Sequence, residues 1–198
     1  MTGVQTCALP ISVFRALLAS CAITGLITIS PFVFAKKESD NLLTAIQKQW
    51  VGQKAPAFKL QDQQGQWHQL SQYKGEWVVL YFYPKDNSPG CTQEANQFKA
   101  LYPQFIKNNA VVLGVSLDDV KSHQKFSEKL NLPFPILADD QHKLAKQFGI
   151  VRNLGFTQIA KRESFLIDPK GTIVYHYTSV DTQTHAAQVL QDIQKFSQ

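Results

Sequence analysis

Cys91 stands where an apolar run ends. The run EWVVLYFY gives way to Pro84-Lys85-Asp86-Asn87-Ser88-Pro89-Gly90, the cysteine follows, and the helix-patterned stretch TQEANQFKALYPQFIKNN begins directly after it. A cysteine that only fills a core belongs inside an apolar run, whereas this one belongs to the turn that leaves it. It therefore lies at or beside the first turn of a helix, where orphan N–H groups and the positive end of the helix dipole stabilise an anion. A thiolate in such a place is a nucleophile. Gly90 lets the backbone be approached closely, and Pro89 stiffens the turn. Thiolate character alone does not make a fast enzyme, because nucleophilicity falls as the thiolate becomes easier to form. The site must also orient a substrate and stabilise the charge that leaves on it.

The other two cysteines, Cys7 and Cys21, fall in a different kind of sequence. Residues 1–12, MTGVQTCALPIS, resemble the in-frame translation of a sequencing-library adapter, which would leave Cys7 without biology. Residues 13–35 read as a secretory signal. Arg15 is the positive head, Ala16–Ile29 carry no charge, Ser30-Pro31 breaks the apolar stretch, and Val33-Phe34-Ala35 predicts cleavage after Ala35. Two rival readings stay open: an uncleaved anchor over 16–35, the one case that places the chain at a membrane, and a lipoprotein box at Leu18–Cys21. Cleavage after Ala35 predicts an exported, for instance periplasmic, protein whose lone thiol is Cys91. Such a thiol in an oxidising compartment is either buried and inert or reactive and used. The mature balance is 19 basic against 15 acidic residues with no dense basic cluster, which speaks against nucleic-acid binding.

The elements that must position Cys91 follow from periodicity. Residues 36–50 form an extension in which Leu42, Leu43, Ile46 and Trp50 share a helical face, and 51–198 form the globular domain. APAFKL and QWHQL are short strands around Gln64-Gly65. EWVVLYFY and AVVLGVS are continuous apolar runs of strand length, the mark of buried central strands. The long helix after Cys91 uses Ala95, Phe98, Leu101, Tyr102, Phe105 and Ile106, with a kink expected at Pro103. DDVKSHQKFSEKL is a helix capped near Asp118 or Asp119, PFPILAD a strand, and QHKLAKQFG a helix ended by Gly149. ESFLID and TIVYHY flank Pro169-Lys170-Gly171 as a hairpin, and Ala187, Leu190, Ile193 and Phe196 mark a closing helix. This order predicts an α/β protein of thioredoxin-like fold, a mixed central sheet flanked by helices on both faces.

The spacing Pro84-x-x-x-Ser88-x-x-Cys91 resembles the peroxiredoxin signature, and YFYPKDNSPGCTQEANQF resembles its bacterioferritin comigratory protein, or Q-type, branch. VGQKAPAFKL, SLDD, PFPILAD and SFLIDPKG fall in the order that branch shows, so the resemblance runs from about Val51 to the C-terminus. It implies a thiol peroxidase. Cys91 would attack the peroxide and become a sulfenic acid. Ser88 would hydrogen-bond to the peroxide, Pro84 would shield the sulfur, and the backbone N–H groups of Gly90 and Cys91 would complete the oxygen site. Arg162, two positions before Ser164-Phe165, would face Cys91 and bind the peroxide, with Lys161 and Arg152 as competitors for that place. Many Q-type members carry a resolving cysteine five residues after the first; here that position is Asn96, and no cysteine follows Cys91. The resemblance therefore implies a one-cysteine enzyme recycled by an external thiol or a thioredoxin-like reductant, a monomer or weak dimer without cofactor or metal.

The neighbouring residues have plainer readings. Glu94, one turn into the helix, reads first as a capping or dipole residue. His68, His123, His142, His176 and His185 show no metal-ligand grouping and read as structural or solvated, and Trp50, Trp67 and Trp77 as packing residues. A Cys-x-x-Cys oxidoreductase is a poor reading because position 94 is glutamate, and a copper-binding module would want a second cysteine with a nearby histidine, which the sequence does not offer. A peroxide sensor or holdase using the same first step stays open.

Overall fold

The computed structural model describes residues 49–198; the adapter-like stretch, the signal and nearly all of the 36–50 extension lie outside them. Within the described residues nine strands and four α-helices follow one another. β1 (Lys59–Gln61) and β2 (Trp67–Gln69) form a hairpin, and a 3-10 turn (Leu70–Tyr73) leads to β3 (Trp77–Phe82), α1 (Pro89–Lys107) and β4 (Ala110–Ser116). Then come α2 (Val120–Leu130), β5 (Ile136–Ala138) and α3 (Lys143–Gln147). The small hairpin β6 (Val151–Asn153) and β7 (Gln158–Ala160) precedes β8 (Glu163–Ile167), β9 (Ile173–Tyr177) and α4 (His185–Phe196).

Seven strands make one sheet in the order β2-β1-β5-β4-β3-β8-β9. β3 runs parallel to β4 and antiparallel to β8, which makes the sheet mixed and places β3 inside it. All six residues of β3 are buried, as its unbroken apolar run requires. Alternation along β3 splits the core in two. Val79 and Tyr81 face Ala95, Phe98 and Phe105 of α1, Phe126 of α2 and Val189 and Ile193 of α4. Val78, Leu80 and Phe82 face Leu144 and Ala145 of α3 with Phe148 and Phe165. Helices thus cover both faces, and the fold is thioredoxin-like. Among the described residues no helix is long and apolar enough to cross a membrane.

Several expectations shift in detail. α1 begins at Pro89 with Ser88 as its N-cap and runs on through Pro103, while Ile106 turns outward, 57% exposed. Asp119, not Asp118, caps α2, its side chain accepting from Ser122 N–H. The buried stripe of α4 lies one residue earlier than expected at its start: Ala186, Val189, Leu190 and Ile193 are buried, Ala187 and Phe196 are exposed. Trp50 packs against Phe148, with ring centroids 5.0 Å apart, whereas Trp67 is exposed beneath Lys59.

One close approach fixes a glycine. Tyr81 pairs in register with Gly114, and a Cβ on Gly114 would stand 2.8 Å from the Tyr81 ring and 2.9 Å from Ile136 Cγ2. Gly114→Ala is expected to destabilise the protein by about 1–3 kcal/mol through overpacking, read as a lower midpoint in urea unfolding at unchanged slope.

Candidate active site

The end of β3 and the start of α1 build the site. The chain leaves the sheet at Tyr83, passes through Pro84–Asn87, with Asn87 in a left-handed conformation at φ 60°, and enters α1 at Pro89. Cys91 is the third residue of the helix, inside the first turn, where the backbone N–H groups have no helical acceptor. It is the only cysteine among the described residues, it is 1% exposed, and its thiol is free.

Arg162 arrives from the neighbouring strand. β8 pairs antiparallel with β3, Phe82 opposite Glu163, so the residue before Glu163 emerges at the same end of the sheet as Cys91. Its Nη2 donates to Cys91 Sγ at 3.2 Å. The same nitrogen lies 3.3 Å from where a Cβ on Gly90 would be, so Gly90 leaves room for the guanidinium to lie over the helix's first turn. Neither rival cation replaces it: Lys161 Nζ lies 3.9 Å from Glu163 and Arg152 is exposed on β6.

Arg162 Nη1 donates to Glu94 Oε2, so one cation bridges the sulfur and a carboxylate. Glu94 is 0% exposed, which corrects its reading as a capping or dipole residue. The sequence carried a signal for this, since Cys91, Glu94, Ala95 and Phe98 form one buried stripe at i, i+3, i+4 and i+7. Burial pushes the Glu94 carboxyl up to about 7, with Arg162 pulling it the other way. Burial lowers the pKa of Arg162, but Glu94 and Cys91 outweigh it and hold the guanidinium above its ordinary value. Because the folded-state value of Glu94 lies above the unfolded one of 4.5, its ionisation opposes folding. The wild type is expected to lose stability relative to Glu94→Gln as pH rises from about 4.5 to about 7, measured by urea unfolding at several pH values.

Ser88 sits at the N-cap, but its hydroxyl donates to the Lys85 carbonyl at 3.0 Å, so toward a substrate it keeps only acceptor lone pairs. Pro84 is half-buried between Tyr83 and that turn. Two more polar groups border the site: His185, read from sequence as structural or solvated, and Tyr81, which nothing in the sequence marked. His185, at the first position of α4, shares a 2.9 Å hydrogen bond between Nε2 and Ser164 Oγ. Burial first, and the Arg162 charge second, hold its imidazole down to about 4, so it is neutral at pH 7. The Tyr81 hydroxyl is buried without a partner, and burial followed by the Glu94 and Cys91 charges push its pKa well up. Among the described residues no group of three or more His, Cys, Asp or Glu side chains could hold a metal ion.

A lone cysteine at a helix N-terminus, in a thioredoxin-like sheet and bonded to an arginine from the adjacent strand, defines a thiol-based redox site. The AhpC/TSA family matches residues 51–176, and the chain belongs to it. It is 43% identical over 152 residues to Peroxiredoxin Bcp of Bacillus subtilis, spanning 75% of this chain and 97% of that one. Among solved structures, a cysteine-to-serine mutant of Xylella fastidiosa PrxQ aligns with TM-score 0.70 at 36% identity, covering 75% of this chain and 97% of that one. Xanthomonas campestris bacterioferritin comigratory protein, whose structures are described in terms of alkyl peroxide reduction, aligns with TM-score 0.67 at 36% identity over 71% of this chain and 92% of that one. The expected Q-type kinship therefore holds, and the protein is a peroxiredoxin, a thiol-dependent peroxidase.

Proposed function

We propose that the protein is an exported one-cysteine peroxidase that reduces hydrogen peroxide, and alkyl hydroperoxides as well, through a Cys91 sulfenic acid. The observation that carries this reading is the 3.2 Å contact between Arg162 Nη2 and Cys91 Sγ at the first turn of α1. The guanidinium and the helix N-terminus both favour negative charge at the sulfur and at an oxygen beside it. The thiolate attacks one peroxide oxygen in line; the S–O bond forms as the O–O bond breaks. The leaving hydroxide or alkoxide takes a proton and departs as water or alcohol. Ser88 accepts the O–H of the bound peroxide, Arg162 and the N–H groups of Gly90 and Cys91 hold its oxygens, and Pro84 limits access of water.

Cys91 has no cysteine after it, and Asn96 stands exposed at the fifth position on, so the sulfenic acid is reduced from outside. One external thiol condenses with it, forming a mixed disulfide and releasing water; a second thiol displaces Cys91 and leaves as the disulfide. A thioredoxin-like protein in the same compartment fits this role, and the enzyme works as a monomer or weak dimer without metal or organic cofactor. Export is supported by Arg15, the uncharged stretch that follows it and the Val33-Phe34-Ala35 site. A mature protein beginning at Lys36 in mass spectrometry is the expected result, and another N-terminus rejects that site. Steady peroxide consumption in excess dithiothreitol tests the enzymatic reading. Many turnovers per chain are expected, whereas consumption that stops after one equivalent identifies a sensor or holdase instead.

A further inference from the structure

The β6–β7 hairpin takes no part in the steps above, yet its tip carries the most exposed large apolar side chain of the described residues. Phe156 is 111% exposed, and Leu154, two positions before it, is 47% exposed. A single apolar side chain in water needs no explanation. Two large ones on one turn do, when the turn is built to hold them out. Leu154 N–H donates to the Thr157 carbonyl at 2.8 Å, and Gly155 between them takes the left-handed conformation at φ 77°. Gln158 Nε2 donates to Asn153 Oδ1 at 2.5 Å, and Gln158 Oε1 accepts from His142 Nδ1 at 2.8 Å, which ties the hairpin to the start of α3.

The tip adjoins the active site from two directions. Phe156 and Ile159 line a cleft together with Pro84 and Lys85, the start of the loop that leads to Cys91. That loop is held as firmly as the hairpin. Lys85 Nζ donates to Asp118 Oδ1 at 2.6 Å, and Asp86 Oδ2 shares a 2.9 Å hydrogen bond with His123 Nδ1. Along the chain, β7 ends at Ala160, two residues before Arg162. The hairpin also carries one sign of charge: residues 150–162, IVRNLGFTQIAKR, include Arg152, Lys161 and Arg162 and no acid.

We propose that the β6–β7 tip is the docking surface for the protein that supplies the reducing thiol. Phe156 and Leu154 are its apolar anchors, and the cations beside them select a partner whose thiol lies in an apolar surface bordered by acidic residues. The inference rests on the one-cysteine reading above and deepens it. With no second cysteine after Cys91, the oxidised sulfur is not passed to another site on the chain, so the partner's thiol must be brought to Cys91 itself. A protein seated over the Pro84–Cys91 turn covers about 800 Å² of this chain, enough to take in the neighbouring cleft and the tip. Exposed aromatic anchors carry much of the binding energy of such a contact, and opposite charge speeds the encounter. A peroxide or a small thiol needs none of it.

The test uses the full chain carrying Cys7→Ser and Cys21→Ser, so that Cys91 is the only thiol, with a bacterial thioredoxin as the protein reductant and dithiothreitol as the small one. In Phe156→Ser, and separately in Leu154→Ser, the KM for thioredoxin is expected to rise by about tenfold or more, the loss that one anchor produces. Turnover with dithiothreitol and the stopped-flow rate of Cys91 oxidation by hydrogen peroxide are expected to stay unchanged. Phe156→Leu keeps an apolar anchor and should lie close to the wild type. Arg152→Glu should raise the KM as well and weaken its dependence on salt. An unchanged KM in both serine variants overturns the proposal, and so does a parallel loss with dithiothreitol, which assigns the tip to the peroxidase site instead. A dimer in sedimentation velocity that Phe156→Ser converts to a monomer assigns the tip to a second copy of the chain and overturns it too. Binding is read apart from turnover by titrating isotope-labelled thioredoxin with the Cys91→Ser chain. Shifts in the resonances around the thioredoxin active site, lost when Phe156→Ser is added, are expected; their absence with the tip intact refutes docking. This arm reads the surface whether or not Cys91 turns over peroxide, so its failure is distinct from failure of the peroxidase reading.

Discussion

Cys91→Ser is expected to abolish peroxide consumption. A serine hydroxyl keeps the shape of the side chain but is not ionised at neutral pH and does not form the S–O intermediate, so neither half of the cycle has a chemical path. The loss should be complete in a coupled assay and in single-turnover oxidation alike. The fold should survive, because the buried sulfur exchanges for a smaller atom that can still accept from Arg162 Nη2. Unchanged consumption in this variant refutes the assignment of Cys91 as the nucleophile.

Arg162→Ala is expected to slow oxidation of Cys91 by about a hundredfold or more, the usual size of a lost preorganised donor. It also leaves Glu94, which is 0% exposed, without its cation. Removing one partner of a buried pair costs about 3 kcal/mol or more unless the remaining group is neutralised. The double variant Arg162→Ala, Glu94→Gln separates these effects: stability should return, measured by urea unfolding, while the oxidation rate should not. Arg162→Lys should fall between the two, because a single ammonium does not reach sulfur and carboxylate in the forked geometry of a guanidinium. A double variant that recovers the rate would show that Arg162 serves the fold and not the reaction.

What the sequence displayed and what it concealed divide along local and non-local interactions. Cys91, Ser88 and Gly90 lie within one turn of a strand-to-helix junction, so spacing alone placed them together, and the structure puts them at the first turn of α1. Arg162 came from the family resemblance. Its contact with a cysteine 71 residues earlier depends on the register of β8 against β3, which no local pattern states. Glu94 was legible on the buried stripe of α1, but a carboxylate near a helix start reads first as a dipole partner, and the compensating arginine came from another strand. Asp86 and His123 are 37 residues apart and meet because β3 and β4 are parallel neighbours whose following segments exit at the same end of the sheet. The β6–β7 hairpin escaped notice because its strands, VRN and QIA, are three residues each and only Ala160 is buried, with no apolar alternation to mark them. The one-residue offset in α4 arose from a helix that offers two alanines in a row; packing against α1 chose Ala186.

The most direct test of the whole account is mass spectrometry of the Cys91 peptide after one equivalent of hydrogen peroxide, with dimedone present to trap a sulfenic acid. A dimedone adduct on Cys91, formed within seconds and absent when dithiothreitol is added before the trap, is the predicted result. An unmodified Cys91 after the peroxide has been consumed would contradict it.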